Sequence, residues 1–368
     1  LLYGVKPVSR VRIPPHPQIA KLKKLNMASR IQEMLIGRDD IIDYAAIIKK
    51  YPWLVQKDQN CVLSPDSDGL LCGLFTSHYL NWKIRGFYDG KILVLEKGFR
   101  PKDCIFLDME LFRKGVRSVG QHMVMFNKSR LPENWGNFDD CASINNIRNH
   151  DGYHDFRLKY PFGTIHFLIG VLGTKQKIDI PQSAISPLLF TDGTWMNLLG
   201  YTENSLSWLK YLRATEEGTP LNEIFLNKHY SLHELMLTMN DFLRERDAIS
   251  IPRERGDRVT ITLRGGEGTP HNLVIEEENF YLLNENAKQR AERFLRLLSN
   301  LTGWHYKDKD WSWNKWQLSQ FTKRDFVGEK VRLSNKTFDK FIAKNPLSFA
   351  MTSTQNIEYT IEKPNKLS

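Results

Sequence analysis

The stretch CVLSPDSDGLLCG, residues 61–73, carries the strongest indication of the fold in this chain. A short apolar run leads into Asp66 and Asp68, and a second apolar run begins after Gly69. This order is typical of a buried strand, a tight loop and a helix. Two carboxylates this close repel each other unless a positive charge lies between them. The loop therefore becomes the first candidate for a functional site.

Apolar runs on both sides of this stretch extend the pattern. Strands are predicted at 60–64, 91–97, 104–110 and 116–126, and helices at 41–51, 70–84, 164–173, 205–214, 231–249 and 285–301. Near-continuous apolar strands alternating with helices favour an α/β fold with a mostly parallel, buried sheet. Two alternating segments, 258–264 and 271–278, predict strands around a glycine-rich hairpin loop.

The chain of 368 residues is long enough for two domains. We expect an α/β domain over residues 27–215 and a smaller α+β domain over residues 216–368. Residues 1–26 contain six Lys or Arg and no acidic residue, and Met27 begins MASRIQEM, which is typical of a true start. We therefore expect residues 1–26 to be a disordered extension or the product of a mis-called start.

Composition limits the class of protein. The chain is 41% hydrophobic and 26% charged, as in ordinary globular proteins. It has no apolar run of ~18 residues that would span a membrane and no signal-peptide pattern. Its four cysteines form no CxxC pair, which predicts buried, reduced thiols and a cytoplasmic location. The formal charge of +10 falls to +4 without residues 1–26, a weak indication of an anionic partner.

Acidic and imidazole side chains follow several of the predicted apolar segments. In an open parallel sheet, ligands bind at the carboxyl ends of the strands. The candidates for catalysis and for metal binding at that edge are Asp66, Asp68, Asp108, His122 and Asp192. Carboxylate and imidazole ligands suit Mn²⁺ or Mg²⁺. We therefore predict a site for one of these ions.

Simpler explanations exist for each of these residues. Asp66 and Asp68 fit an Asx-turn in which Asp68 caps the following helix. Asp108 alone fits a turn, and His122 alone fits a core histidine. A calcium-binding EF-hand loop is excluded, because its first and twelfth positions would be Ser64 and Phe75.

The order of these motifs resembles the DHH phosphoesterases, which include RecJ-like nucleases and cyclic-dinucleotide phosphodiesterases. The segment Ser64–Gly69 is similar to the family's H-x-D-x-D-G motif, Asp108 to its second motif, and Gly120-Gln121-His122 to its Asp-His-His. Residues 159–173 and 188–212 are similar to the later motifs. The resemblance covers about residues 60–212, and it implies metal-assisted attack of water on a phosphodiester.

The chain departs from the family pattern at three positions. Ser64 replaces the histidine of the first motif, and Gly120 and Gln121 replace the Asp and first His of Asp-His-His. The resemblance then implies that Asp66, Asp68, Asp108, His122 and Asp192 remain. A site reduced in this way would hold one metal ion in place of two, and an inactive descendant that keeps only the fold is an alternative.

The polar segment 145–159 supplies further candidates. The expected substrate contacts are Gln121, Arg148, Arg157 and Lys159. His150 and His154 are four residues apart, which on a helix would fit a second metal site. The intervening Gly152 disfavours a helix there, and a solvated loop is the main alternative.

The segment from Trp304 to Lys344 mixes four tryptophans with many basic residues. Aromatic faces stack on bases and cations contact phosphates, so this composition suits single-stranded nucleic acid. The alternative is that the tryptophans form a core and the charges face water. The glycines and His271 in RGGEGTPH, residues 264–271, are interpreted as a hairpin turn.

The leading hypothesis is a metal-dependent phosphodiesterase that hydrolyses nucleic acid, with single strands favoured. One alternative is a phosphodiesterase for small nucleotides, such as cyclic dinucleotides or short oligonucleotides. Another is a catalytically inactive DHH fold that binds nucleic acid or a partner protein. No membrane association is expected, and the sequence does not identify protein partners.

Overall fold

Strand β1 lies near the centre of a nine-stranded sheet in the computed structural model, which describes residues 31–226, 230–263, 269–277 and 279–361. Cys61, Val62 and Leu63 of β1 are fully buried, as expected for a strand covered on both faces. The strands are β1 Asn60–Leu63, β2 Lys83–Tyr88, β3 Ile92–Glu96, β4 Ile105–Leu107, β5 Arg117–Gly120, β6 Cys141–Ser143, β7 Leu273–Ile275, β8 Tyr281–Leu283 and β9 Trp316–Gln320.

The order of the strands across the sheet is β6-β5-β4-β1-β2-β3-β9-β8-β7. The five strands from β6 to β2 are parallel, and each later pair is antiparallel. The predicted α/β fold is therefore confirmed. The carboxyl ends of β1, β4 and β5 meet at one edge of the sheet. Asp66, Asp108 and His122 follow these three strands in the chain.

Helices cover this sheet. They are α1 Tyr44–Lys50, α2 Ser67–Leu80, α3 Ile144–Ile147, α4 Thr164–Gly173, α5 Ile185–Phe190, α6 Thr194–Gly200, α7 Thr202–Tyr211, α8 Pro220–Phe225, α9 Leu232–Asp247 and α10 Glu285–Thr302. Helix α2 packs against α4, and both belong to the main hydrophobic core. Helix α2 ends earlier than predicted, because Asn81 adopts a left-handed conformation with φ 56° and β2 starts two residues later.

A smaller α+β unit lies in the C-terminal region, over residues 322–361. Its antiparallel sheet has the order β10-β12-β11, beside helix α11. The bounds are β10 Thr322–Asp325, α11 Asn335–Ile342, β11 Ser348–Met351 and β12 Ile357–Ile361. Phe338, Phe341 and Phe349 pack in one cluster with Phe112 and Phe126 from the segments after β4 and β5. This packing places the small sheet next to the carboxyl ends of the parallel strands.

Residues on both sides of position 215 pack into the same sheet and the same core. Strand β9 pairs with β3, and β8 pairs with β9. By its contacts the chain divides into residues 1–39 and residues 40–368. The expected division at 215 is therefore not a break in packing, because the later strands extend the first sheet. Within the shorter unit, residues 31–35 are helical, and the interpretation of residues 1–26 lies outside the described residues.

The tryptophans of the basic C-terminal segment are core residues. The side chains of Trp304, Trp311, Trp313 and Trp316 are between 0% and 5% exposed. Phe87 contacts both Trp313 and Trp316. The predicted stacking surface for nucleic acid is therefore wrong for these four residues, and the alternative of a packed core holds. The composition was compatible with both interpretations. The pairing of β9 with β3 places Trp316 in the core, and Trp311 forms a bridge with Ile84 of β2.

Two smaller expectations have mixed outcomes. Of the predicted hairpin at 258–278, the structure contains β7 and an isolated bridge between Thr262 and Pro270, and residues 264–268 lie outside the described residues. The four cysteines are buried and unpaired, as predicted. In the part of the chain that the structure describes, none of the helices combines the length and the apolar character that crossing a membrane requires.

Candidate metal centre

The loop between β1 and α2 is shaped by a close backbone approach. A Cβ atom on Gly69 would lie 2.0 Å from the carbonyl oxygen of Ser64, so this position requires glycine. Asp66 is the N-cap of α2, and its Oδ1 accepts a hydrogen bond from the Gly69 N–H at 3.3 Å. The turn of the alternative interpretation is present, but its capping residue was wrong: Asp66 caps the helix, and Asp68 lies in the first helical turn.

Asp68 is fully buried against the start of α4. Its Oδ2 accepts a hydrogen bond from the Thr164 N–H at 2.6 Å, and its Oδ1 accepts one from the Ile165 N–H at 3.1 Å. Helix α4 has no side-chain cap of its own, so Asp68 fills that role from another helix. A Cβ on Gly163 would lie 2.7 Å from Asp68 Oδ1, which explains the glycine in YPFGT.

Two more aspartates converge on Asp68. Asp108 directly follows β4 with φ 63°, and its Oδ1 accepts a hydrogen bond from Thr164 Oγ1 at 2.9 Å. Asp192 lies between α5 and α6 with φ 50° and accepts a hydrogen bond from Gln121 Nε2 at 2.5 Å. One carboxylate oxygen from each of Asp68, Asp108 and Asp192 lies within 4.8 Å of the others. Three of the five predicted site residues therefore form one cluster.

Burial and mutual repulsion act on this cluster together. Desolvation, followed by repulsion from Asp68 and Asp192, raises the pKa of Asp108 well above its usual range. Desolvation and then the charges of Asp68 and Asp66 also raise the pKa of Asp192, although this residue is solvent-accessible at the edge of the cluster. A divalent cation among these oxygens would offset the repulsion, and an all-carboxylate set suits Mg²⁺ or Mn²⁺.

Replacing Asp108 with asparagine is expected to stabilise the metal-free protein at alkaline pH. A carboxyl whose pKa is raised by folding stabilises the fold below its unfolded pKa, and this contribution is lost as pH rises through the raised value. The asparagine side chain removes one like charge and tolerates the left-handed backbone. We expect a gain of ~1–3 kcal/mol near pH ~8 and a smaller one near pH ~5, measured by urea unfolding in chelator. An Asp108→Asn protein less stable than wild type at alkaline pH would contradict the repulsion.

His122 and a residue that the sequence prediction missed lie beside the cluster. The Nδ1–H of His122 donates a hydrogen bond to Oε2 of Glu110 at 3.0 Å. Desolvation lowers the pKa of His122, but the Glu110 carboxylate outweighs it and the pKa is raised overall. The sequence signal for Glu110 is an acidic residue two positions after Asp108, which alone is typical of a solvated turn.

A cleft of about 330 Å³ opens above these residues. Asp66, Asp108, Glu110, His122 and Asp192 line its floor, and residues of β11 and β12 line the opposite wall. Two cations that the sequence did not single out, Arg258 and Lys323, also line it. The hydrogen bond from the Val259 N–H to the Pro65 carbonyl oxygen, at 2.7 Å, brings Arg258 beside the loop of Asp66. The cleft thus combines an acidic floor with basic groups.

The predicted substrate contacts are dispersed. Gln121 touches the cluster through Asp192, and the charge of Lys159 also interacts with Asp192. Arg148 instead forms an ion pair with Asp40 at 2.9 Å, with its guanidinium side chain 1% exposed. Arg157 is exposed and does not line the cleft. Arg148 is therefore corrected to a structural residue, because its charge is already neutralised within the protein.

The proposed second metal site at His150 and His154 is not supported by the contacts of these residues. His150 is buried and its Nδ1 bonds the carbonyl oxygen of Leu158, whereas His154 is half-exposed and bonds Asp151. The two imidazoles thus serve different local networks. Among the described residues, the group suited to a metal ion is the one formed by Asp68, Asp108 and Asp192.

Comparisons of the chain with protein-family models, curated proteins and solved structures give no significant match. The resemblance to the DHH phosphoesterases therefore rests on the motifs around Asp66, Asp108 and His122, and it stays a prediction.

Proposed function

We propose that this protein is a metal-dependent phosphodiesterase that acts on nucleotide phosphodiester bonds. The observation that carries the proposal is the convergence of Asp68, Asp108 and Asp192 within 4.8 Å, beside a cleft that Asp108 and Asp192 line. Like charges at this spacing, with Asp68 and Asp108 buried, are costly without a cation. Bound Mn²⁺ or Mg²⁺ would lower the pKa of a water and neutralise charge on the phosphate.

Each side chain has a defined role in this proposal. Asp68, Asp108 and Asp192 hold the cation, and the N–H groups of Thr164 and Ile165 fix the orientation of Asp68. Arg258 and Lys323, on the rim, offer positive charge to the non-bridging oxygens of the phosphate. Asp66 and His122 complete the floor next to the reacting group.

The substrate is a single-stranded nucleic acid that enters by its end, or a small nucleotide diester. The cleft volume of about 330 Å³ is at the small end of the range for ligand sites, which favours the small nucleotide. The burial of the four C-terminal tryptophans removes the main argument for stacking along a strand. A cytoplasmic location remains part of the proposal, in keeping with four unpaired cysteines.

The test is hydrolysis by the purified chain in Mn²⁺, in Mg²⁺ and in EDTA. The substrates are end-labelled single-stranded DNA and RNA and a cyclic dinucleotide. Cleavage that needs the metal supports the proposal, and the preferred substrate separates its two forms. Binding of these ligands without turnover in any metal would instead favour an inactive module, which the replacements at Ser64 and Gly120 also suggest.

Arg258→Ala is expected to raise KM by about 10–100-fold with little change in kcat, because it removes a charged contact to the substrate. The matched control is Arg255→Ala. Both guanidinium groups pair with the buried Asp257, but only Arg258 lines the cleft. Steady-state kinetics on the preferred diester measures both variants. Equal effects of the two substitutions would show that both arginines act by pairing with Asp257 and that Arg258 does not contact the substrate.

A further inference from the structure

Glu110 is a buried carboxylate that is only half satisfied. The residue is 2% exposed, and its Oε1 is buried without a hydrogen-bond partner among the described residues. Its Oε2 accepts the hydrogen bond from Nδ1 of His122, whose side chain is 43% exposed. Burying a carboxylate with a free oxygen is unfavourable, so such a group persists where a neighbouring charge or ligand uses it.

The position of Glu110 depends on a glycine in the adjacent strand. A Cβ atom on Gly120, the last residue of β5, would lie 2.6 Å from Cδ and Oε2 of Glu110 and 2.8 Å from Oε1. Any larger residue at 120 would therefore displace the Glu110 carboxylate. Conversely, a side chain at 120 would point into the space that this carboxylate now fills. The chain thus has one carboxylate at this point, and it comes from the loop after β4.

The hydrogen bond also fixes which nitrogen of His122 is available. With Nδ1 held by Glu110, Nε2 is the ring nitrogen left for a ligand, and His122 lines the same cleft as Asp66, Asp108 and Asp192. Histidine ligands of metals usually donate their other N–H to a carboxylate, which sets the tautomer and the ring orientation.

We infer that Glu110 is a positioning residue of the metal centre: it holds His122 by Nδ1 so that Nε2 ligates the divalent cation, and Gly120 leaves the room for it. This inference rests on the proposed function for the cation but not on catalysis. It assigns a role to Glu110 and Gly120, because the orientation of the His122 imidazole depends on both residues. A purely structural Glu110 would stabilise the fold without acting through His122.

The experiment is a double-mutant cycle read by Mn²⁺ binding in isothermal titration calorimetry, without substrate. The variants are Glu110→Gln, His122→Ala and the double substitution. Glu110→Gln is expected to weaken Mn²⁺ binding by about 10–100-fold. In the His122→Ala background the same change is expected to alter affinity less than about 2-fold, because Glu110 acts through the imidazole. Glu358→Gln is the matched control, since Glu358 lines the opposite wall and pairs with Lys323.

Two further variants test the same role of the Glu110 carboxylate if the Glu110→Gln protein does not fold. Gly120→Ala is expected to weaken Mn²⁺ binding as well, because its Cβ displaces the Glu110 carboxylate. The exchange variant Glu110→Ala/Gly120→Asp returns a carboxylate to the same space from β5 and is expected to recover affinity relative to Glu110→Ala alone.

Equal effects of Glu110→Gln in both backgrounds, or unchanged affinity in His122→Ala, would overturn the inference. Because the readout is Mn²⁺ binding alone, a chain that binds Mn²⁺ as expected but hydrolyses nothing would refute the phosphodiesterase and leave the role of Glu110 intact. Hydrolysis with Mn²⁺ binding insensitive to Glu110 would do the reverse.

Discussion

Asp68→Asn is expected to lower metal-dependent hydrolysis by more than ~100-fold, a larger loss than changes outside the ligand shell cause. The substitution keeps the shape of the side chain and an oxygen for the first turn of α4. It removes the like charge that acts most strongly on the pKa values of Asp108 and Asp192. We expect a loss of Mn²⁺ affinity together with the loss of hydrolysis. Steady-state kinetics measures the hydrolysis, and Mn²⁺ titration measures the affinity.

The control for Asp68→Asn is Asp310→Asn. Asp310 is 3% exposed and pairs with Lys83, so it is almost as deeply buried as Asp68 but is not part of the aspartate cluster. The Asp310 variant is expected to lose stability and to keep its Mn²⁺ affinity. Wild-type hydrolysis rates in a folded Asp68→Asn protein would remove this aspartate from the metal centre and end the phosphodiesterase proposal in its present form.

Trp316→Ala is expected to destabilise the protein by ~3–5 kcal/mol, the usual cost of truncating a large core side chain. Trp316 is fully buried in β9, and its backbone pairs with Glu96 of β3 and Tyr281 of β8. Its ring contacts Phe87 in an edge-to-face arrangement, at 5.9 Å between centroids. Urea unfolding measures the loss, and affinity of the folded fraction for single-stranded DNA is expected to stay at the wild-type value.

The control is Val327→Ala, in the same C-terminal region but 68% exposed, which is expected to change stability by less than ~0.5 kcal/mol. A Trp316→Ala protein that remains as stable as wild type yet loses affinity for a single strand would restore the view of this segment as a nucleic-acid surface.

The parallel part of the sheet could be predicted because its signals are local. Buried parallel strands appear as short apolar runs, and a carboxylate after such a run lies at the edge where ligands bind. On that basis, the sequence correctly predicted that Asp68 and Asp108 lie at the same site. Asp192 was found in the same way, although it lies between two helices and not at a strand end.

The rest depends on contacts between distant parts of the chain. Glu110 bonds His122 in a space that Gly120 leaves open, and the local sequence pattern does not reveal this contact. Arg258 enters the cleft through a backbone bond from Val259 to the β1–α2 loop. A segment rich in aromatic and basic residues is compatible with a binding surface and with a packed core. Composition alone therefore could not predict whether the tryptophans are exposed or buried.

The insertion of β9 beside β3 has a consequence for biosynthesis. Trp316 pairs with Glu96, which lies 220 residues earlier in the chain. At ~5–20 residues per second, a ribosome needs ~10–45 s to make the intervening chain. During that interval the edge of β3 has no partner, and an unpaired edge invites pairing with other chains. Newly made molecules are therefore exposed to aggregation until β9 has been synthesised, and a chaperone would matter most during that interval.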